Sequence, residues 1–74
     1  MKASEVHSLD DARLVEHLRD TRQEVFKLRF QLATGQLENT SRVKEAKRDL
    51  ARQLTVARER GIDVERELAR QGRG

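Results

Sequence analysis

Leu28-Arg29-Phe30-Gln31-Leu32-Ala33-Thr34-Gly35-Gln36-Leu37-Glu38-Asn39 decides the fold of this 74-residue chain. A segment with helical period meets a glycine, and Gly35 is placed to take the left-handed conformation that closes a helix. Soon afterwards Lys47-Arg48-Asp49-Leu50-Ala51-Arg52 falls in a second segment of helical period, with its basic residues on one side. Two helices joined by so short a connection lie antiparallel. The expected unit is therefore a helical hairpin whose outer surface suits a polyanion.

Going back from Gly35, Leu14, Leu18, Thr21, Val25, Leu28 and Leu32 recur in alternating steps of four and three. That spacing is the a/d seam of a helix packed along another. It predicts a first helix over about 9–34, with Ser8 as N-cap and Asp10 and Asp11 meeting the positive end of the helix dipole. The preceding residues, Lys2 to His7, suit a single turn tucked over the hairpin by Val6. Going forward, the turn covers 35–40, and Thr40 or Ser41 is the expected cap of a second helix over about 41–60. Its seam is taken as Val43, Lys47, Leu50, Leu54 and Ala57, with Ala46 beside it, and Gly61 stops it. Residues 61–74 carry Ile62, Val64 and Leu68 among alternating charges and are expected to form a flexible or partly helical tail. The fold class is all-α: a long antiparallel two-helix hairpin, coiled-coil-like, with a short N-terminal turn and a flexible C-terminal tail.

Composition narrows the function. Only 35% of the residues are hydrophobic and two Phe are the sole aromatics, so a wide multi-layer core is out of reach. With no cysteine there are no disulfides and no thiolate metal sites. His7 and His17 have no third ligand at metal spacing and suit surface or capping roles. A domain this small usually draws stability from a partner when it lacks such staples. The net charge is +3, but its placement matters more: residues 1–38 balance at −1, residues 39–60 at +4, and residues 61–74 at zero. Positive charge concentrates in the second helix, and such a block attracts phosphates by counterion release. No signal-peptide core or long apolar run occurs, so a cytoplasmic protein without membrane contact is expected. Asn39-Thr40-Ser41 matches a glycosylation acceptor but suits a turn and helix cap better.

On the second helix Lys44, Arg48, Arg52 and Thr55 share one ridge, and Arg42 sits at the helix start, where backbone N–H groups also favour anions. Cations one turn apart, roughly 6 Å along the axis, match neighbouring phosphates of a folded RNA. The plainer alternative for this ridge is a solvated charged face. On the first helix, one flank collects Val15, Arg19, Arg22, Phe26, Arg29, Phe30 and Ala33 with no acid, and it suits docking. Phe26 and Phe30 are candidates for protein contact or, more plainly, surplus seam. The other flank holds Arg13, Glu16, Asp20, Glu24, Lys27 and Gln31, and its Glu16, Asp20, Glu24 row repels phosphate. No glycine-rich phosphate loop, nucleophile elbow or metal-ligand spacing is present, so no enzyme, cofactor, metal or small-molecule substrate is expected.

These segments carry a family resemblance. Met1-Lys2-Ala3, Leu28-Arg29-Phe30-Gln31, Gly35-Gln36-Leu37 and Lys47-Arg48-Asp49-Leu50-Ala51-Arg52 with Thr55, in this order, resemble the bacterial large-subunit ribosomal protein L-twenty-nine family over roughly residues 2–60. The resemblance implies a hairpin bound to large-subunit (23S-type) ribosomal RNA near the polypeptide exit tunnel. The implied neighbour is ribosomal protein L-twenty-three, and the implied role is structural. It assigns Arg29 and Gln31 to the motif ending the first helix, and Arg48, Arg52 and Thr55 to the RNA-contacting motif of the second. Three features depart from it: Thr40 stands where many members have Pro, Leu54 where many have Lys, and the tail exceeds the shorter members. The expected RNA-binding set is Arg19, Arg22, Arg29, Gln31, Arg42, Lys44, Arg48, Arg52 and Thr55. The alternative is a small coiled-coil interaction module that binds no RNA; a peripheral membrane helix fits poorly, because the narrow apolar stripe is needed inside the hairpin.

Overall fold

Four helices form in the computed structural model, which describes residues 2–71: α1 (Ala3–His7), α2 (Asp11–Ala33), α3 (Ser41–Glu59) and α4 (Val64–Gln71). α2 begins where Asp10, in an extended conformation, accepts a hydrogen bond from the Arg13 N–H at 2.8 Å. Asp10 is thus the N-cap in place of Ser8, and its carboxylate satisfies an orphan donor while meeting the helix dipole. Ser8 closes α1 instead, its hydroxyl donating to the Glu5 carbonyl at 2.7 Å. At α3 the capping side chain is Asn39, whose Oδ1 accepts from the Ser41 N–H at 2.9 Å. Thr40 occupies the N-cap position with helical dihedrals, so its hydroxyl is not set to accept as an extended N-cap residue does.

Both long helices end the same way. Gly35 (φ 80°) and Gly61 (φ 71°) take the left-handed conformation. The next N–H reaches back to close the turn, from Gln36 to the Gln31 carbonyl and from Ile62 to the Ala57 carbonyl, each at 2.9 Å. These are Schellman closures, which satisfy the last carbonyls of a helix.

α2 buries Leu14, Leu18, Val25 and Leu28 toward α3, with Thr21 half-buried. Leu32, assigned to the same seam, is 36% exposed because the hairpin has already begun to turn. On α3 the buried line is Val43, Ala46, Gln53 and Ala57, while Leu50 and Leu54 are half-buried and Lys47 is exposed. The α3 seam is therefore rotated from the Leu-centred line, and Lys47 is not part of it. Small Ala46 and Ala57 are buried along this line, and Leu50 and Leu54 are half-buried beside it. The two cores establish the antiparallel pairing: Val25 and Leu28 meet Val43 and Ala46 near the turn, and Leu14 and Leu18 meet Val56 and Ala57 at the far end.

That far end gains two further elements. Val6 of α1 is fully buried, which bears out the tucked turn. Arg60 fastens it: the guanidinium donates to the carbonyls of Leu9 (2.7 Å) and His7 (2.9 Å) and to Asp11 Oδ1 (3.2 Å). After Gly61 the chain folds back, and α4 packs on α2 through Val64, with Leu68 beside the core. The tail is thus helical over Val64–Gln71; its remainder, 72–74, lies outside the described residues. The molecule is flat, 38 × 30 × 14 Å, so most helical surface has no second layer over it.

Candidate nucleic-acid interface

With the α3 seam running through Ala46, Gln53 and Ala57, Lys44, Arg48, Arg52 and Thr55 fall on the opposite side, and all four are exposed. Lys47, freed from the seam, and Arg58 are exposed on the same broad face, and both were missed in the sequence. Their signal is the line Ala46–Gln53–Ala57, whose burial sets the phase of the helix more closely than the leucines do. Among the described residues, Lys44 and Arg48 enter no hydrogen bond or ion pair through their side chains, so their charges are available to a ligand. The acids of α3 mostly turn elsewhere: Glu45 and Asp49 share a groove with Thr21, Glu24 and Arg42. Glu59 lies at the C-terminal end of the ridge.

Thr55 differs in kind from its neighbours. Its hydroxyl donates to the Ala51 carbonyl at 2.8 Å, within the helix. The proton is committed there, so Thr55 offers a ligand at most an acceptor and does not serve as a phosphate donor in this conformation.

The nine expected RNA-binding residues do not share one surface. Gln31 and Arg42 lie across the molecule from the ridge, in a groove with Asp20, Glu24 and Lys27. Two carboxylates there offset the two cations, which makes a poor seat for phosphate. Arg19, Arg22 and Arg29 lie on the α2 flank. Arg19 is bonded to its neighbour Asp20 at 3.2 Å. Arg22 is paired with Glu65 of α4, through both guanidinium nitrogens. That hydrogen-bonded pair raises the Arg22 pKa and holds the Glu65 carboxyl below the usual carboxylate range, the hydrogen bond contributing more than the charge. Val15, from the same flank, is only 4% exposed, because α4 lies over this part of α2.

Beyond the reach of α4 the flank is bare. Phe26 is 75% exposed and Phe30 60%, with Arg29 exposed between them. Single exposed apolar residues need no explanation, but two rings one turn apart form a patch. The structure thus brings the α3 cations together, sets Arg29 with the two phenylalanines, and separates both groups from Gln31 and Arg42. Among the described residues no group of three or more His, Asp or Glu gathers to hold a metal ion. No helix among them is long and apolar enough to cross a membrane.

Comparison with known proteins gives a consistent match. The family model described as Ribosomal L29 protein matches residues 4–60. "Large ribosomal subunit protein uL29" of Carboxydothermus hydrogenoformans is 58% identical over 62 residues, 84% of this chain and 90% of that protein. Its counterpart in Maridesulfovibrio salexigens is 57% identical over 62 residues, covering 84% of this chain and 97% of its own length. That of Streptomyces griseus is 50% identical over 64 residues, or 86% of each chain.

Proposed function

Because the chain belongs to the Ribosomal L29 protein family, we propose that it binds large-subunit ribosomal RNA through the α3 ridge as a structural constituent of the ribosome. The family is one of large-subunit ribosomal proteins, structural in role, so the chain resides in the ribosome, in the cytoplasm. The observation that carries the RNA contact is the outward placement of Lys44, Arg48 and Arg52, opposite the seam that the fold needs. Helical rise sets these cations roughly 6 Å apart along the axis, close to phosphate spacing. Arg48 and Arg52 fork onto phosphate oxygens, and Lys44 adds a mobile point charge. Lys47 and Arg58 widen the field on the same face.

The resemblance supports a seat near the polypeptide exit tunnel, beside ribosomal protein L-twenty-three. The bare Phe26/Phe30 patch with Arg29 is the surface suited to a protein neighbour there. It faces away from the acidic Asp20/Glu24 groove and is the most apolar exposed part of the molecule.

Arg48→Ala with Arg52→Ala tests the RNA contact. Affinity for large-subunit RNA is expected to fall roughly tenfold or more, and the slope of log K against log salt to fall by about two. The circular dichroism spectrum should keep its helical form. Unchanged affinity and slope would remove the ridge from the interface. The exposed phenylalanines also allow self-association as a coiled coil, and salt separates the two: apolar association changes little between 50 and 200 mM, whereas phosphate binding weakens steeply.

A further inference from the structure

Beside the ridge, α1 leans on α3 and leaves a groove that phosphate binding alone does not use. Ala3, Ala51 and the side of Val56 line it, so its lining is mostly apolar. Arg48 and Arg52 stand at one end, Thr55 follows them along α3 towards Glu59, and the ring-bearing His7 is on the α1 side. The hydroxyl proton of Thr55 is already held by Ala51, which makes the wall still less polar. The space is about 260 Å³, below the roughly 300–1,000 Å³ of small-molecule pockets. Arg60 keeps it open by binding the His7 and Leu9 carbonyls, which fixes α1 against the end of α3.

A shallow, mostly apolar groove with two guanidiniums at one end has the chemistry that receives a nucleobase still attached to its phosphates. RNA is read chiefly where bases are unstacked, and such bases stack on rings and on guanidinium planes. A fully paired helix offers this slot nothing. Glu59 at the opposite end directs the strand, since the phosphates must lie toward Arg48 and Arg52. We propose that the α1–α3 groove binds one unpaired RNA base whose flanking phosphates lie on Arg48 and Arg52. The proposal rests on the ridge being an RNA contact, and it adds to it a preference for a bulged or looped strand and a role for Ala3, Ala51 and His7.

The test compares two RNA hairpins with the full chain: one with a single bulged 2-aminopurine, one fully paired. The bulged RNA should bind about tenfold tighter, the scale of one stacked base, with quenched 2-aminopurine fluorescence. Ala51→Leu, at an exposed helix position, fills the slot without altering charge. It should abolish the preference and the quenching while leaving paired-RNA affinity and its salt slope unchanged. Ala3→Leu, from the opposite wall, should do the same, which guards against a local failure of folding in either variant. Equal affinity of the native chain for the two RNAs, with steep salt dependence intact, would overturn the groove and leave the ridge standing. A preference that survives both leucine variants would overturn it too, by placing the base elsewhere. Binding to neither RNA under low salt would overturn the ridge and the groove together.

Discussion

The two ends of the hairpin are built from the same seam but finished differently. At the end away from the turn, Val6, Leu14 and Leu18 have no exposed surface, because α1 and α4 close over the α2–α3 pair. At the turn end, Val25, Leu28, Val43 and Ala46 keep a few per cent of exposure each, and among the described residues the further hydrophobic side chains packed against them are Leu37 and Leu50. Phe26 and Phe30 stand in the open beside them. One end is a small closed core; the other is two helices thick, with surplus apolar surface. A chain of this size completes only one end by itself and leaves the other for a partner.

Core truncation should expose that asymmetry most strongly. Leu18→Ala is expected to cost about 3–4 kcal/mol, enough to unfold much of so small a domain, because its pocket is ringed by packed side chains. Leu28→Ala should cost about 2 kcal/mol, since the thinner end can collapse onto the gap. Urea denaturation followed by circular dichroism reads both. Equal losses would mean that the closed end is no better packed than the turn.

The next contrast isolates turn chemistry. Gly35 and Gly61 have similar positive φ, and a Cβ added at either meets nothing within 4 Å. Gly35→Ala and Gly61→Ala should therefore cost about 1 kcal/mol each, from backbone conformation alone. Similar shifts in the unfolding midpoint would locate the difference between the ends in packing. A much larger loss at Gly61 would show that the return of α4 depends on that turn.

How much of this was legible in the sequence follows the same division. The α2 seam, the left-handed glycine at 35, the stop at Gly61 and the tucked Val6 depend on local period and turn chemistry, and all were readable. The phase of α3 was not, because two leucines outweigh Ala46, Gln53 and Ala57 in any hydrophobic pattern. The buried line of α3 in fact runs through Val43, Ala46, Gln53 and Ala57, and Lys47 lies outside it. Val15 and Arg22 were equally opaque: their cover is α4, more than forty residues away, and nothing in the α2 pattern announces it. The outward ridge survived the error in phase because Lys44, Arg48 and Arg52 lie far from either version of the seam. Their role toward RNA is a separate matter, carried by charge and family and open to the tests above.

If the turn end is completed by a partner, its phenylalanines should matter to assembly and little to the free chain. Phe26→Ser with Phe30→Ser should shift the stability of the isolated protein by no more than about 0.5 kcal/mol per site, since both rings are solvated. Retention on large ribosomal subunits through a salt wash should nevertheless fall, because apolar contacts persist where phosphate contacts are screened. A loss of stability in the free chain would show that the rings already pack at home; unchanged retention would remove them from the interface.

The smallest effect concerns how firmly α4 closes the other end. Glu65 is exposed, and an exposed ion pair contributes little to global stability. Its direction is nonetheless fixed: the Arg22 hydrogen bond lowers the Glu65 pKa from its ordinary 4.5, so the contribution is present above that pH and is lost as pH falls through the lowered value. Measured against the slower intrinsic exchange at acid pH, amide protection in α4 should fall on acidification below about 4.5, before the protection of Leu14 and Leu18 changes. Glu65→Gln should show the lower protection already at neutral pH, with the unfolding midpoint almost unmoved. Were α2 and α4 to loosen together, α4 would belong to the core itself, and the closed end would be a single cooperative unit with no separable cover.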